Sequence, residues 1–276
     1  MIIRVENTDE MISDICEYLD VVPEFLEESI IKIGNSSFDN GIFNEDLFFS
    51  QSERFIVENN SQQLDGMFLC HLTRSIDCPQ VLFPLRTLLT TSNSFSSFVK
   101  ENGIVFLSND SKLQMRFHGE IVPETALYNP MSIGNKHIRL AKRLGLLGTG
   151  DFCVNGFAFA IAPDRSTDNY YQRLMRGPEL LQDIDKLLST NLSDLYCKKT
   201  KYYFALAQVP LNSVIVDANN GSSEYSFSTE KYLSRCFEFL LEWYLKDAYS
   251  LFFNPMIRMN DSSPVAVDYY IELSSI

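Results

Sequence analysis

The sequence lacks most of the short motifs that mark a metal centre, a nucleotide-binding loop or a hydrolase nucleophile. Its six cysteines form no C-x-x-C pair, and His71, His118 and His137 are too widely spaced for the usual metal-ligand patterns. It also contains no G-x-x-x-x-G-K-[ST] or G-x-G-x-x-G loop, no H-E-x-x-H and no G-x-S-x-G. We therefore expect no bound metal, no Walker or Rossmann nucleotide site and no serine-hydrolase elbow.

Long apolar runs are missing as well. No segment approaches the roughly 18 consecutive apolar residues of a membrane span, and residues 1–6 do not begin the apolar stretch of a secretion signal. The sequence therefore predicts a cytoplasmic protein with reduced cysteines and no membrane partner.

Basic residues are scarce relative to acidic ones. The chain has 23 Lys and Arg against 36 Asp and Glu, which gives a formal net charge of -13. This charge repels nucleic-acid phosphates over a Debye length of about 10 Å. A nucleic-acid partner or a dinucleotide phosphate would therefore need a local basic patch. Lys136, Arg139, Lys142 and Arg143 are one candidate for it, and a solvated helix face is the alternative interpretation.

Apolar residues are plentiful and follow both helical and strand periodicities. Apolar residues at helical spacing predict helices over residues 7–32 with a break at Pro23, 82–99, 137–147, 178–188 and 229–251. Short apolar or alternating runs predict strands over residues 67–73, 103–107, 157–161, 202–209, 214–216 and 265–273. Residues 34–63 are rich in Asn, Ser and Phe and predict loops and short turns.

The predicted elements favour the α+β class, because helices and strands are mixed without a regular βα alternation. We expect residues 1–63 to form an N-terminal helical and loop segment and residues 64–276 to form the main domain. With 45% hydrophobic and 13% aromatic residues, the chain has enough apolar surface for a large core.

Three short segments carry residue types that occur in the same order in one enzyme family. The first is His71-Leu72-Thr73-Arg74 at the end of an apolar strand. The second runs from Gly103-Ile104-Val105-Phe106-Leu107-Ser108 through Ser111-Lys112 to Phe117. The third is Val267-Asp268-Tyr269-Tyr270-Ile271-Glu272 on the predicted last strand. This order resembles the ADP-ribosyltransferases of the poly(ADP-ribose) polymerase and DarT-like toxin group, with their strand-borne His, G-I-x-F…S-K…aromatic stretch and late catalytic Glu.

The resemblance implies both a fold and an activity. The fold would be a split mixed and antiparallel sheet core with flanking helices. The activity would be NAD-dependent mono-ADP-ribosyl transfer to a protein or nucleic acid, with NAD as substrate and without a metal. Members of the group include bacterial toxins and antiphage effectors, so an antitoxin or other neutralising protein is an implied partner.

The resemblance also assigns roles in the cofactor site. His71 would hold the nicotinamide ribose, and the backbone of Leu72 would bind the carboxamide. Thr73 or Arg74 would add a hydroxyl or phosphate contact, and Phe117 would stack on the departing nicotinamide ring. A strict alignment of Ser111-Lys112 would instead put Arg116 at the aromatic position and Leu113 at the serine position.

Two carboxylates compete for the catalytic role. Asp268 falls at the position of the family's Glu, and Glu272 lies farther along the same predicted strand. Side chains alternate along a strand, so Asp268, Tyr270 and Glu272 should share one face, with neighbours on that face about 7 Å apart. Tyr270 is therefore a further candidate for the cofactor site.

Two other functions fit the same sequence. A non-enzymatic binding or immunity-type protein would use its acidic surface to meet a basic partner, and the three segments would be coincidental. An NAD glycohydrolase on the same scaffold would release ADP-ribose to water instead of to an acceptor.

Overall fold

A computed structural model describes residues 1–60, 62–109, 111–131, 136–147, 152–160, 175–216, 225–245 and 254–273. Its helices are α1 (Thr8–Leu19), α2 (Pro23–Ser36), α3 (Glu45–Asn59), α4 (Leu85–Thr90), α5 (Ser94–Glu101), α6 (Glu124–Leu127), α7 (Ile138–Arg143), α8 (Glu179–Leu188), α9 (Leu192–Lys199) and α10 (Thr229–Tyr244). None of the helices in these stretches is long and apolar enough to cross a membrane.

The strands are short and mostly antiparallel. They are β1 (Phe38–Asp39), β2 (Ile42–Phe43), β3 (Met67–Ser75), β4 (Val81–Leu82), β5 (Ile104–Asn109), β6 (Lys112–Phe117), β7 (Glu120–Ile121), β8 (Asn155–Phe157), β9 (Lys201–Val209), β10 (Val214–Val216), β11 (Tyr225–Ser226), β12 (Met256–Met259), β13 (Val265–Ala266) and β14 (Tyr269–Leu273). This mixture of helices and antiparallel sheets confirms the predicted α+β class.

The chain divides into two compact units, each built from several stretches. The first comprises Met1–Cys70, Gly156–Ile161 and Gln208–Asn260, and the second comprises His71–Asn155, Ala162–Ala207 and Asp261–Ile276. Neither unit coincides with the predicted regions 1–63 and 64–276, because the N-terminal helices share their unit with later parts of the chain.

In the first unit, α10 packs against α2 and α3. Phe237 of α10 meets Phe55 of α3 with ring centroids 5.9 Å apart. At Gly34 of α2, an added Cβ would lie 2.5 Å from the side chain of Leu241, so this glycine permits the close approach of α2 and α10. The sheet of this unit has the order β11-β10-β12-β8-β3.

The second unit contains a large core beneath a three-stranded sheet. The sheet has the order β5-β6-β7, and its core includes Phe98 and Tyr196, whose ring centroids are 4.9 Å apart. The same unit contains the strand order β3-β9-β14 and the small pair β4-β13. The strands β3, β9 and β14 carry the first and third of the sequence segments that resemble ADP-ribosyltransferases.

Several predicted helix starts are confirmed. The Asn7 side chain accepts hydrogen bonds from the N–H groups of Asp9 and Glu10 and caps α1. Pro23 occupies the first turn of α2, and Pro178 directly precedes α8.

Other predictions were wrong or too coarse. Residues 45–59 form α3, because Asn44 caps the helix by accepting from the N–H of Leu47 and because Phe48, Ser52 and Ile56 recur on its buried side. The predicted helix over 82–99 is two helices, since Asn93 and Ser96 form a capping box that starts α5.

The predicted last strand is also divided. Val265 and Ala266 pair with β4, whereas Tyr269–Leu273 pairs with β9. The helix predicted over 137–147 is shortened to α7, and the helix predicted over 229–251 is described as far as Tyr244. The strand predicted over 157–161 is displaced, because β8 covers Asn155–Phe157 and overlaps the prediction only at Phe157, while residues 158–160 are not in a strand and residue 161 lies outside the described residues.

Candidate active site

The strand β3 holds His71 through one hydrogen bond to the backbone. The Nδ1 atom of His71 lies 2.5 Å from the carbonyl oxygen of Asn155. A carbonyl oxygen only accepts, so the proton lies on Nδ1, and Nε2 keeps its lone pair. Burial lowers the pKa of His71 below its ordinary value of 6.5, against a smaller raising effect of the Asn155 carbonyl. The half-buried imidazole is therefore neutral at pH 7, with Nε2 ready to accept a hydrogen bond.

The face of the sheet on which His71 lies follows from its neighbour Arg74. The guanidinium carbon of Arg74 lies 5.6 Å from the centroid of the Tyr202 ring, so these two side chains share a face. Successive side chains point to opposite faces of a strand. His71, three residues before Arg74, therefore lies on the opposite face, together with Tyr203.

The same face carries Tyr270 and Glu272 of β14. Glu272 of β14 is directly opposite Tyr203 of β9, and Tyr270 is opposite Ala205. The rings of Tyr203 and Tyr270 meet edge to face, with centroids 5.4 Å apart. The face thus combines a neutral imidazole, an exposed tyrosine ring and a carboxylate.

The strand spacing sets the width of this arrangement. β3 and β14 are the two neighbours of β9, and two strand spacings separate their backbones by about 10 Å. His71 and Glu272 therefore lie on two strands that β9 separates.

Glu272 has a cationic partner on the adjacent strand. Lys201 Nζ lies 3.0 Å from Glu272 Oε2, and the two side chains are 62% and 50% exposed. Ion pairs this exposed contribute little to stability and exchange readily with other partners. Glu272 therefore has a cationic partner but stays accessible.

Asp268 lies outside regular strand structure. It forms a bend just before β14, and its N–H donates to the carbonyl oxygen of Leu206 over 2.9 Å. Its side chain is exposed. The strand alternation that was expected to align Asp268 with Tyr270 and Glu272 therefore applies within β14 only from Tyr269 onward.

The residues that follow His71 have structural partners. Leu72 is buried and Thr73 is half-buried. The Arg74 guanidinium makes four hydrogen bonds, to the hydroxyl and carbonyl oxygens of Thr200 and to the carbonyl oxygens of Met175 and Cys197. Arg74 thus connects the end of β3 to the chain around α9 by hydrogen bonds. These bonds use most of the N–H groups of the guanidinium, so few are left to bind a phosphate.

Phe117 lies on a different sheet from His71. It is opposite Ile104 on β5 and Glu120 on β7, and its ring packs against the core of the second unit. Its centroid is 4.2 Å from that of the His118 ring. The sheet that brings His71, Tyr270 and Glu272 to one face does not include Phe117.

The basic residues around α7 are tied to acidic side chains. Arg139 donates to Asp183 over 2.7 Å and to Glu179 over 2.9 Å. Arg143 pairs with the same two carboxylates of α8. This four-residue network is part-buried, so Arg139 and Arg143 lie on neither a solvated face nor an open phosphate site, whereas Lys136 and Lys142 are exposed.

Sequence reasoning missed two residues of the His71 face, Tyr203 and Cys78. Hydrogen bonding to the Cys78 thiol raises the pKa of Tyr270, and burial followed by the effect of Cys78 raises the pKa of Tyr203. In the sequence, Tyr203 was identified only as one residue of the apolar run that predicts the strand 202–209. Its place opposite Glu272 depends on strand register, which short patterns do not give.

The described part of the chain contains no group of three or more His, Cys, Asp or Glu side chains that could hold a metal ion. In comparisons with known proteins, no protein-family model, curated protein or solved structure matches this chain.

Proposed function

We propose that this chain is an NAD-dependent mono-ADP-ribosyltransferase whose NAD site is the face formed by His71, Tyr270 and Glu272. The observation that carries the proposal is the neutral, tautomerically fixed His71 on the same sheet face as an exposed aromatic ring and a carboxylate. The β3-β9-β14 strands would then belong to an ADP-ribosyltransferase-like core.

The reaction transfers ADP-ribose from nicotinamide to a nucleophile. The bond between ribose C1′ and the nicotinamide nitrogen breaks, and the electron pair leaves with neutral nicotinamide. The sugar passes through an oxocarbenium-like state, as in glycoside hydrolysis. The acceptor then bonds to C1′ and loses its proton to a base or to solvent.

Each of the three side chains has a role that its environment supports. Nε2 of His71 accepts a hydrogen bond from a ribose hydroxyl and positions the sugar. The Tyr270 ring, 39% exposed, offers a face for the nicotinamide ring. Glu272 accepts from the ribose 2′-OH and stabilises the developing positive charge, a kind of electrostatic contribution that is often large in enzymes.

Glu272 fits this role better than Asp268. It lies within the regular part of β14, directly opposite the buried Tyr203, whereas Asp268 lies in the bend before the strand. Lys201 Nζ lies 3.0 Å from Glu272 Oε2 and gives this carboxylate a cationic partner. We therefore assign the catalytic carboxylate to Glu272 and treat Asp268 as a second variant in the test.

The test is incubation of the purified chain with NAD labelled in the adenylate, together with cell extract as a source of acceptors. The wild type should release nicotinamide and label a macromolecule, and the digestion of the product with protease or nuclease identifies the acceptor class. His71→Ala should lose turnover, and Glu272→Gln should lower kcat by about 10²–10³-fold. Glu101→Gln removes an exposed carboxylate from α5 and serves as the matched control.

The outcomes separate the competing functions. Nicotinamide release with free ADP-ribose and no labelled acceptor would identify a glycohydrolase. Neither turnover nor NAD binding by a folded wild type would refute the proposal and favour a non-enzymatic binding protein. Loss of activity in Asp268→Asn with full activity in Glu272→Gln would transfer the catalytic role to Asp268.

A further inference from the structure

The second unit presents one face of its three-stranded sheet to solvent. On β6, Leu113 and Met115 enter the core of this unit. Side chains alternate along a strand, so Gln114 and Arg116 lie on the other, outward face. On β5 the same alternation places Leu107 on that face, where it is 39% exposed. The outward face is therefore the part of this sheet that is available to a partner.

Arg116 occupies the middle of a row of side chains across this face. It is directly opposite Val105 on β5 and Ile121 on β7. In the next row, Leu107 is opposite Gln114. Ile121 is 52% exposed, and these two rows contain no acidic side chain. Arg116 is thus a cation among apolar side chains, and Ile121 and Leu107 are the ones that reach solvent.

The guanidinium of Arg116 has no hydrogen-bond or ion-pair partner in the part of the chain that the structure describes. Its Nε atom is buried without an acceptor, while the residue as a whole is only half-buried. Arg74, Arg139 and Arg143 of the same unit each have several acceptors instead. A donor that lacks an acceptor raises the free energy of the folded chain, so an acceptor brought by a partner is favoured at Arg116.

We propose that this outward face docks a partner protein through an acidic segment. A carboxylate of the segment binds the Arg116 guanidinium, whose planar N–H groups match two carboxylate oxygens. An apolar side chain next to that carboxylate covers Ile121 and Leu107. Apolar contacts that exclude water around an arginine are typical of the residues that dominate protein–protein binding. This docking does not depend on the proposed transferase activity.

Charge and apolar exposure together favour a protein over other anions. A phosphate or a lone carboxylate would pair with Arg116 but leave Ile121 and Leu107 in water. A nucleic acid offers a sugar–phosphate backbone instead of apolar side chains, and the net charge of -13 repels its phosphates. A segment with neighbouring acidic and apolar residues satisfies the cation and the apolar groups at once.

The test is selection of a random peptide library, displayed on phage, against the full chain, followed by fluorescence anisotropy of the enriched peptides. The enriched sequences should share an Asp or Glu beside a Leu, Ile, Val or Phe. Arg116→Gln and Ile121→Ser should each weaken the binding of these peptides by about tenfold or more. Replacing the shared peptide carboxylate by its amide should weaken binding to the wild type to a similar extent, with little further effect on Arg116→Gln.

Arg54→Gln and Val57→Ser remove an exposed arginine and an exposed apolar side chain from α3 and are the matched controls. The proposal is overturned if no peptide is enriched, if the enriched peptides lack the acidic residue, or if Arg116→Gln binds them as tightly as Arg54→Gln does. Circular dichroism of each variant confirms that a lost signal reflects the outward face and not unfolding.

Two other occupants have outcomes of their own. A wild-type dimer in sedimentation velocity that dissociates in Arg116→Gln would overturn the proposal, because a second copy of this chain would then occupy the face. Binding of a single-stranded oligonucleotide that Arg116→Gln abolishes would overturn it in favour of nucleic acid.

Discussion

The buried carboxyl group of Glu238 makes the stability of the first unit depend on pH. Glu238 lies on α10 and is 2% exposed, with Arg235 NH1 2.8 Å from its Oε2. Arg235 also reaches Glu45 over 3.0 Å, and its guanidinium lies 4.2 Å from the Phe49 ring centroid. Burial raises the pKa of Glu238 from 4.5 to about 7, although Arg235 acts in the opposite direction.

The direction in which stability changes with pH follows from the number of protons that the folded and unfolded chains bind. Between pH 4.5 and about 7 the folded chain holds a proton on Glu238 that the unfolded chain has released. This contribution to stability is therefore complete below pH 4.5 and is lost as the pH rises through about 7. Integrated between pH 5 and pH 8, the loss is about 2.5 kcal/mol. Solvent screening does not reduce this free energy, because the Glu238 side chain is almost fully buried.

Glu238→Gln replaces the carboxyl group by a neutral amide of nearly the same shape. The free energy of unfolding of this variant, relative to wild type, should rise by about 2.5 kcal/mol from pH 5 to pH 8. Urea titrations at four pH values, followed by the fluorescence of the single tryptophan Trp243 on the same helix, measure this difference. Glu28→Gln, at an exposed position of α2, is the control and should show no such trend. Parallel pH profiles for wild type and Glu238→Gln would refute the reasoning.

Three further predictions concern the second unit. Burial lowers the pKa of His71, so the wild type should lose more free energy of unfolding than His71→Gln as the pH falls from 7 to 5. Urea titrations measure this difference, and identical midpoints for the two proteins across this range would contradict the prediction. Gly103→Ala should lower the free energy of unfolding by about 1–3 kcal/mol, because φ at Gly103 is +81° and the added Cβ would lie 2.5 Å from the His118 ring. Gly119→Ala is the comparison that isolates the backbone strain, because φ at Gly119 is +88° and the space around it is open. Arg74→Lys should lower the free energy of unfolding by about 2 kcal/mol in urea titrations, because one ammonium cannot replace four guanidinium hydrogen bonds, and an unchanged midpoint would argue against this role.

Local signals in the sequence were sufficient for the elements whose ends carry them. Asn7 caps α1, and Pro23 begins α2, because both act within one helical turn of the residues that they affect. The strand β3 was recognisable because Met67–Cys70 is a continuous apolar run and Leu72 follows it after His71. In contrast, α3 was missed because its buried positions include Ser52 among many polar and aromatic neighbours, which obscured the helical period.

The candidate site was predictable in part for the same reason. His71 could be placed on a strand end from its local sequence, and β14 preserves the alternation that aligns Tyr270 with Glu272. The adjacency of β3, β9 and β14 joins residues far apart in sequence, and no local pattern reports it. Because local patterns do not report which strands are adjacent, Phe117 was the first candidate for stacking on nicotinamide, ahead of an aromatic residue of β14.

The most direct test of the central claim is the rate of nicotinamide release from NAD by the wild type, His71→Ala and Glu272→Gln, each shown to be folded. The account predicts measurable release by the wild type and by Glu101→Gln, and a loss of about 10²-fold or more in the other two variants. Release that is absent in the wild type, or equal in all four proteins, would contradict the assignment of NAD chemistry to this sheet face.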